Sequence, residues 1–100
     1  MRRAGPLEVY VLYMVIERFR LGAAPAVYRR FLERGRLAPP GLEYVASWVD
    51  RDVTTCWQVM RTDDPALLEA WMAAWRDLVE FEVVPVQESA EAARRMAGGG

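Results

Sequence analysis

Hydrophobic positions along the chain fall into four segments of strand character and two stripes of helical character. From Val9 to Arg18 almost every position is apolar, with β-branched and aromatic side chains on both alternating faces. That pattern predicts a central strand covered on both sides. Leu21-Gly22 breaks it, and Pro25 stands where a first helical position would leave its missing N–H without consequence. Val27, Tyr28, Phe31 and Leu32 then share one helical face, Arg29, Arg30, Glu33 and Arg34 the other, and Gly35 fits the C-terminal cap. Pro39-Pro40-Gly41 leads into a second strand, Leu42 to Asp50, whose alternation puts Leu42, Tyr44, Ala46 and Trp48 on one face and Glu43, Val45, Ser47 and Val49 on the other. After a turn at Asp50-Arg51-Asp52, Thr54 to Arg61 reads as its hairpin partner, with Cys56, Gln58 and Met60 on one face and Thr55, Trp57 and Val59 on the other.

Asp64-Pro65 marks the start of a second helix reaching about Leu78, and its stripe of Leu67, Leu68, Trp71, Met72, Trp75 and Leu78 is spaced to pack on a sheet. Val79 to Gln87 is the last strand, and Pro85 within it argues for an edge, since proline cannot donate to a ladder on both sides. Ser89 caps a short alanine-rich helix. The resulting organisation is an N-terminal extension over residues 1–8, one α+β domain over 9–87, and a short helix with a fraying glycine tail over 88–100. The order βαββαβ is the ferredoxin-like arrangement, a four-stranded antiparallel sheet with both helices on one face. Two helices leave the other face bare, although the first strand is apolar on both sides and the hairpin adds large side chains. A homodimer packed through the helix-free face is the expected cover.

Composition narrows the function classes. One hundred residues supply one core, hiding roughly two thirds of the unfolded surface. With 53% hydrophobic and 27% charged residues the chain belongs with folded rather than disordered proteins. All thirteen basic residues are arginine, and lysine, histidine and asparagine are absent, which suits GC-rich codon usage. A net charge of -1, with acids mixed among the arginines, gives no field for a phosphate backbone, so no nucleic-acid partner is expected. The lone Cys56 has no disulfide partner and suits a reducing interior. The apolar run ending at Ile16 is broken by Glu17-Arg18, well short of the ~20 residues of a membrane span, so no membrane segment and a cytoplasmic location are expected.

Several separated segments in order carry a resemblance: Tyr13-Met14-Val15-Ile16-Glu17-Arg18-Phe19, Gly41-Leu42-Glu43-Tyr44-Val45, Ser47-Trp48-Val49, Thr62-Asp63-Asp64-Pro65 and Val79-Glu80-Phe81-Glu82-Val83-Val84-Pro85-Val86. Over about residues 10 to 92 the chain resembles the small bacterial family known as domain of unknown function 3303, within the broad group of dimeric α+β barrels. The resemblance implies a fold and a dimer and no particular reaction.

No histidine serves Ser47 or Cys56 as a base, no glycine-rich turn joins a strand to a helix, and no second cysteine or histidine completes a metal set, so neither metal nor cofactor is expected. Members of the barrel group that depend on histidine cannot be copied here. Some cofactor-free monooxygenases of that group use tryptophan, tyrosine and arginine around an aromatic substrate, and Trp48, Tyr44 and Arg18 supply those residue types without matching a catalytic motif. Polar residues on apolar strands are the remaining signal, because buried polar groups need partners. Glu17 and Arg18 read as a rim ion pair or as part of a pocket. Gln58, mid-strand among apolar neighbours and able both to donate and to accept, is the strongest ligand anchor, with Tyr44, Trp48 and Glu17 beside it in the space between two subunits. Three functions remain open: a binding protein for a small apolar or aromatic molecule in a sheet-lined cavity, a cofactor-free enzyme of monooxygenase or isomerase type on such a molecule, and an interaction subunit with a packed barrel.

Overall fold

A computed structural model describes residues 11–98. The expected extension over residues 1–8 lies outside the described residues, as do the first two positions of the predicted first strand. The elements run β1 (Val11–Phe19), α1 (Ala24–Arg34), β2 (Glu43–Val49), β3 (Thr55–Thr62), α2 (Ala66–Ala73), β4 (Val79–Val86) and α3 (Ser89–Ala97). The strands form one antiparallel sheet in the order β2-β3-β1-β4. This is the ferredoxin-like α+β fold, with the doubly apolar β1 at its centre and the Pro85 strand at its edge.

Alternation along the strands decides which side chains meet the helices. Tyr13 and Val15 of β1 and Met60 of β3 join Val27 of α1, Leu68, Trp71 and Met72 of α2, and Trp75 just after it in one buried cluster. Pro25 opens α1, and Gly35 ends it at φ 76°, where its N–H reaches the Phe31 carbonyl. Within α1 the inward face is narrower than its periodicity predicts: Val27 is buried, whereas Leu32 is 81% exposed.

Three other boundaries differ from expectation. The regular part of α2 stops at Ala73 rather than near Leu78, and short-range bonds from Trp75 N–H to Met72 O and from Leu78 N–H to Trp75 O wind the chain more tightly through residues 74–78. Two arginines stabilise this turn from outside: Arg30 donates to the Ala74 carbonyl at 2.7 Å, and Arg20 donates twice to that of Arg76. The tightening keeps Trp75 in the core and delivers Val79, 1% exposed, to the sheet. At α3, Glu88 rather than Ser89 occupies the cap, with extended backbone and no side-chain bond, and the helix buries none of its residues. In β2 the register with β3 shifts between Tyr44 and Ala46, a bulge at Val45 that splits the predicted face.

Met60→Ala should lower the unfolding free energy by about 2–5 kcal/mol, because a fully enclosed side chain leaves a cavity behind. Leu32→Ala should change it by less than about 0.5 kcal/mol. Urea denaturation of both variants checks the pair, and comparable losses would contradict the placement of α1.

Candidate functional site

The buried polar side chains on the helix-covered face of the sheet are Thr62 at one end and Gln58 and Glu17 toward the other. Cross-strand pairing sets Ser47, Gln58, Val15 and Val83 in one row, and Val49, Cys56, Glu17 and Phe81 in the next. Glu17 therefore follows Tyr13 and Val15 onto the core side of β1 and is 8% exposed, while Arg18 points to the opposite face and pairs with Glu82 at 3.0 Å. A rim pair between Glu17 and Arg18 is geometrically excluded by this alternation. Gln58, 5% exposed, lies diagonally across the β1–β3 ladder from Glu17, within reach of a side-chain bridge.

That bridge is made. The Gln58 Nε2 amide donates to Glu17 Oε2, and the Gln58 Oε1 carbonyl accepts from Arg36 Nε at 2.6 Å. The guanidinium on one side and the carboxyl on the other fix the amide's orientation, since only its oxygen can accept and only its nitrogen can donate. Arg36 lies in the connection after α1. Its carbonyl accepts from the indole N–H groups of Trp71 and Trp75, both at 3.0 Å, and its guanidinium carbon sits 3.7 Å from the centre of the Tyr44 ring and 5.2 Å from that of Phe31. The Tyr44 ring is available because the bulge at Val45 returns Tyr44 to the same face as Ser47, to which its hydroxyl is hydrogen-bonded at 2.9 Å.

A cavity of about 250 Å³ opens between this polar chain and the helices. Its aromatic walls are Phe19, Tyr28, Phe31, Trp71 and Trp75, and its polar lining comes from Glu17, Arg36, Ser47, Cys56 and Gln58. A second hollow beside β4 is bordered by Arg20, Arg76, Glu69 and Glu80, whose charges are paired with one another. Burial dominates the electrostatics of the first cavity. It pushes the Glu17 carboxyl up from its ordinary 4.5 to about 7, against the opposing pull of the Gln58 hydrogen bond and the Arg36 charge. It also pushes the Cys56 thiol up to about 12, helped by the Glu17 charge, so Cys56 is a neutral wall and a poor nucleophile near pH 7. The Tyr28 hydroxyl is raised as well, first by burial and then by the nearby Cys56, Glu17 and Asp50 charges. Glu17 is thus a carboxyl balanced between its acid and base forms at neutral pH, facing a cavity.

Of the residues expected at a site, the fold brings together Gln58, Glu17 and, through Arg36 and Ser47, Tyr44. It does so beneath the helices, on the opposite side of the sheet from the expected space between subunits. Trp48 is not with them: it pairs with Trp57 on the helix-free face and is 60% exposed. Arg36, which ties the group together, stands in an irregular connection where no periodicity marks it. Among the described residues no group of three or more aspartate, glutamate, histidine or cysteine side chains is placed to hold a metal ion, and no helix is long and apolar enough to cross a membrane.

The family model described as Domain of unknown function (DUF3303) matches residues 11–100, and the chain belongs to that family. No curated protein and no solved structure matches it.

The raised carboxyl ties stability to pH. Between about pH 4.5 and 7 the folded chain holds a proton on Glu17 that the unfolded chain has released, so stability falls as pH rises through that window and levels off above it. The full drop is about 3 kcal/mol. Asp50 and Asp77, both held below the ordinary aspartate value chiefly by hydrogen bonds from Thr54 and Arg30, act only at lower pH and with the opposite sign. Urea denaturation at pH 5 and pH 8 should show this loss in the parent chain and little of it in Glu17→Gln. An equal loss in both would remove Glu17 as its origin.

Proposed function

We propose that this member of the family binds a small, mostly apolar or aromatic molecule in the cavity between the helices and the sheet. One observation carries the reading: an aromatic cavity whose polar lining includes an ordered Glu17–Gln58–Arg36 hydrogen-bond chain. Such pockets gain affinity from their apolar walls and orientation from a few fixed polar groups. A second reading, a cofactor-free enzyme acting on the same kind of molecule, is favoured by the Glu17 carboxyl. With a pKa of about 7 it is suited to move a proton to or from a bound molecule. In that case a rate that varies with pH around 7 would lose its dependence in Glu17→Gln.

We also propose that the chain pairs with a second copy through the helix-free face. Leu12, Met14 and Ile16 of β1 share that face with Trp57 and Val59 of β3 and Trp48 of β2. Trp48 and Trp57 stand 60% and 37% exposed there, an apolar surface that a soluble chain normally covers.

A thermal-shift screen of one- and two-ring aromatic fragments should yield compounds that raise the parent's melting temperature. Gln58→Leu should remain folded and bind them at least tenfold more weakly; fragments that bind the variant equally well would take Gln58 out of the site. Light scattering at micromolar concentration should give twice the chain mass of 11.4 kDa, falling toward a single mass in Trp57→Glu. A parent that scatters as one chain would refute the pairing.

A further inference from the structure

The guanidinium of Arg36 is held in position yet has no counter-ion among the described residues. Among the described residues the ion pairs engage Arg18, Arg20, Arg30, Arg61, Arg76 and Arg94, and no carboxylate lies within ion-pair distance of Arg36. Glu17, the acid that feels its charge, is separated from it by the Gln58 amide. Arg36 spends Nε on Gln58, and its two Nη groups make no hydrogen bond to a described residue. A half-buried guanidinium beside aromatic walls is stabilised by an anion that accepts from its fork.

The backbone around it is equally constrained. Leu37, the next residue, adopts φ 65°, a left-handed conformation that a leucine enters only under compulsion. Beside it, two indole N–H groups, from Trp71 of α2 and from Trp75 just after it, hold the Arg36 carbonyl. Strain kept in place by surrounding bonds is a recurrent feature of ligand-holding sites. Stacking on Tyr44 and proximity to Phe31 fix the plane of the guanidinium, and a fixed plane favours two parallel hydrogen bonds to one carboxylate.

We propose that the ligand of this cavity is an aromatic carboxylate, its ring among the tryptophans and its carboxylate on the Nη groups of Arg36. The proposal rests on the pocket reading above and adds the ligand's charge. A cavity of about 250 Å³ is smaller than the ~300–1,000 Å³ of pockets for drug-sized molecules, which fits one or two rings. Glu17, inside the same cavity, accommodates a nearby anion in its protonated form.

Calorimetric titration of the parent with 2-naphthoate and with its neutral isostere 2-naphthamide separates the two readings. Naphthoate should bind at least tenfold more tightly than the amide. Arg36→Met, checked for folding by thermal unfolding, should lose at least tenfold in naphthoate affinity and bind the acid and the amide within about threefold of each other. Arg36→Lys, which keeps the charge without the planar fork, should fall between parent and methionine variant. If the amide binds as well as the acid, the carboxylate assignment falls and the pocket survives. If neither probe binds at millimolar concentration, both readings fall. Full naphthoate affinity in folded Arg36→Met would remove Arg36 as the anchor.

Discussion

A carboxyl group on the core side of a central strand must be neutralised, paired or hydrogen-bonded, because an isolated charge there is worth several kcal/mol of lost solvation. Glu17 meets that requirement through the Gln58 amide, and the amide is in turn oriented by Arg36. The rest of the site follows from this chain of three groups. Gln58 must face the helices, which sets the face of β3. Arg36 must reach inward from an irregular connection, which Trp71 and Trp75 secure through its carbonyl. The stacked Tyr44 then needs the bulge at Val45 to be on the right side of β2.

Such a polar cluster is not the cheapest way to fill a small core. A hundred-residue domain has few buried positions, and apolar side chains of similar volume at Glu17 and Gln58 would pack with no hydrogen bonds to satisfy. Open space beside the cluster makes a purely structural role harder to sustain, since packing the gap would remove the polar groups' contact with it. A neutral Cys56, a carboxyl near its midpoint and a fixed guanidinium give the cavity a graded interior, from the acid at Glu17 to the cation at Arg36. Under the proposed binding of a small molecule, that gradient would set its orientation.

Much of the fold was legible because strand alternation and helix periodicity are local. Pro85 marked the edge, Gly35 the end of α1, and the alternation of β3 put Cys56, Gln58 and Met60 together as they stand in the sheet. What was not legible depends on tertiary packing. One extra residue at Val45 transfers Tyr44 to the other face and separates it from Trp48, and no turn residue announces it. Glu17 and Arg18 look like a rim pair by adjacency, yet adjacent residues of a strand point apart. Arg36 carries no pattern, since its importance comes from Trp71 and Trp75, thirty-five and more positions away. Gln58 and Glu17 stood out because they are polar where their neighbours are not, but which side of the sheet would be hollow depends on how far α1 and α2 stand from it.

The most direct measurement is the ionisation of Glu17 itself, followed by carbon-13 NMR of its side-chain carboxyl in isotopically labelled protein as pH is varied. Burial beneath the helices, outweighing the Gln58 hydrogen bond and the Arg36 charge, predicts a midpoint raised to about 7. A midpoint at or below the ordinary 4.5 would contradict the dominance of burial over the Gln58 hydrogen bond and the Arg36 charge at this carboxyl.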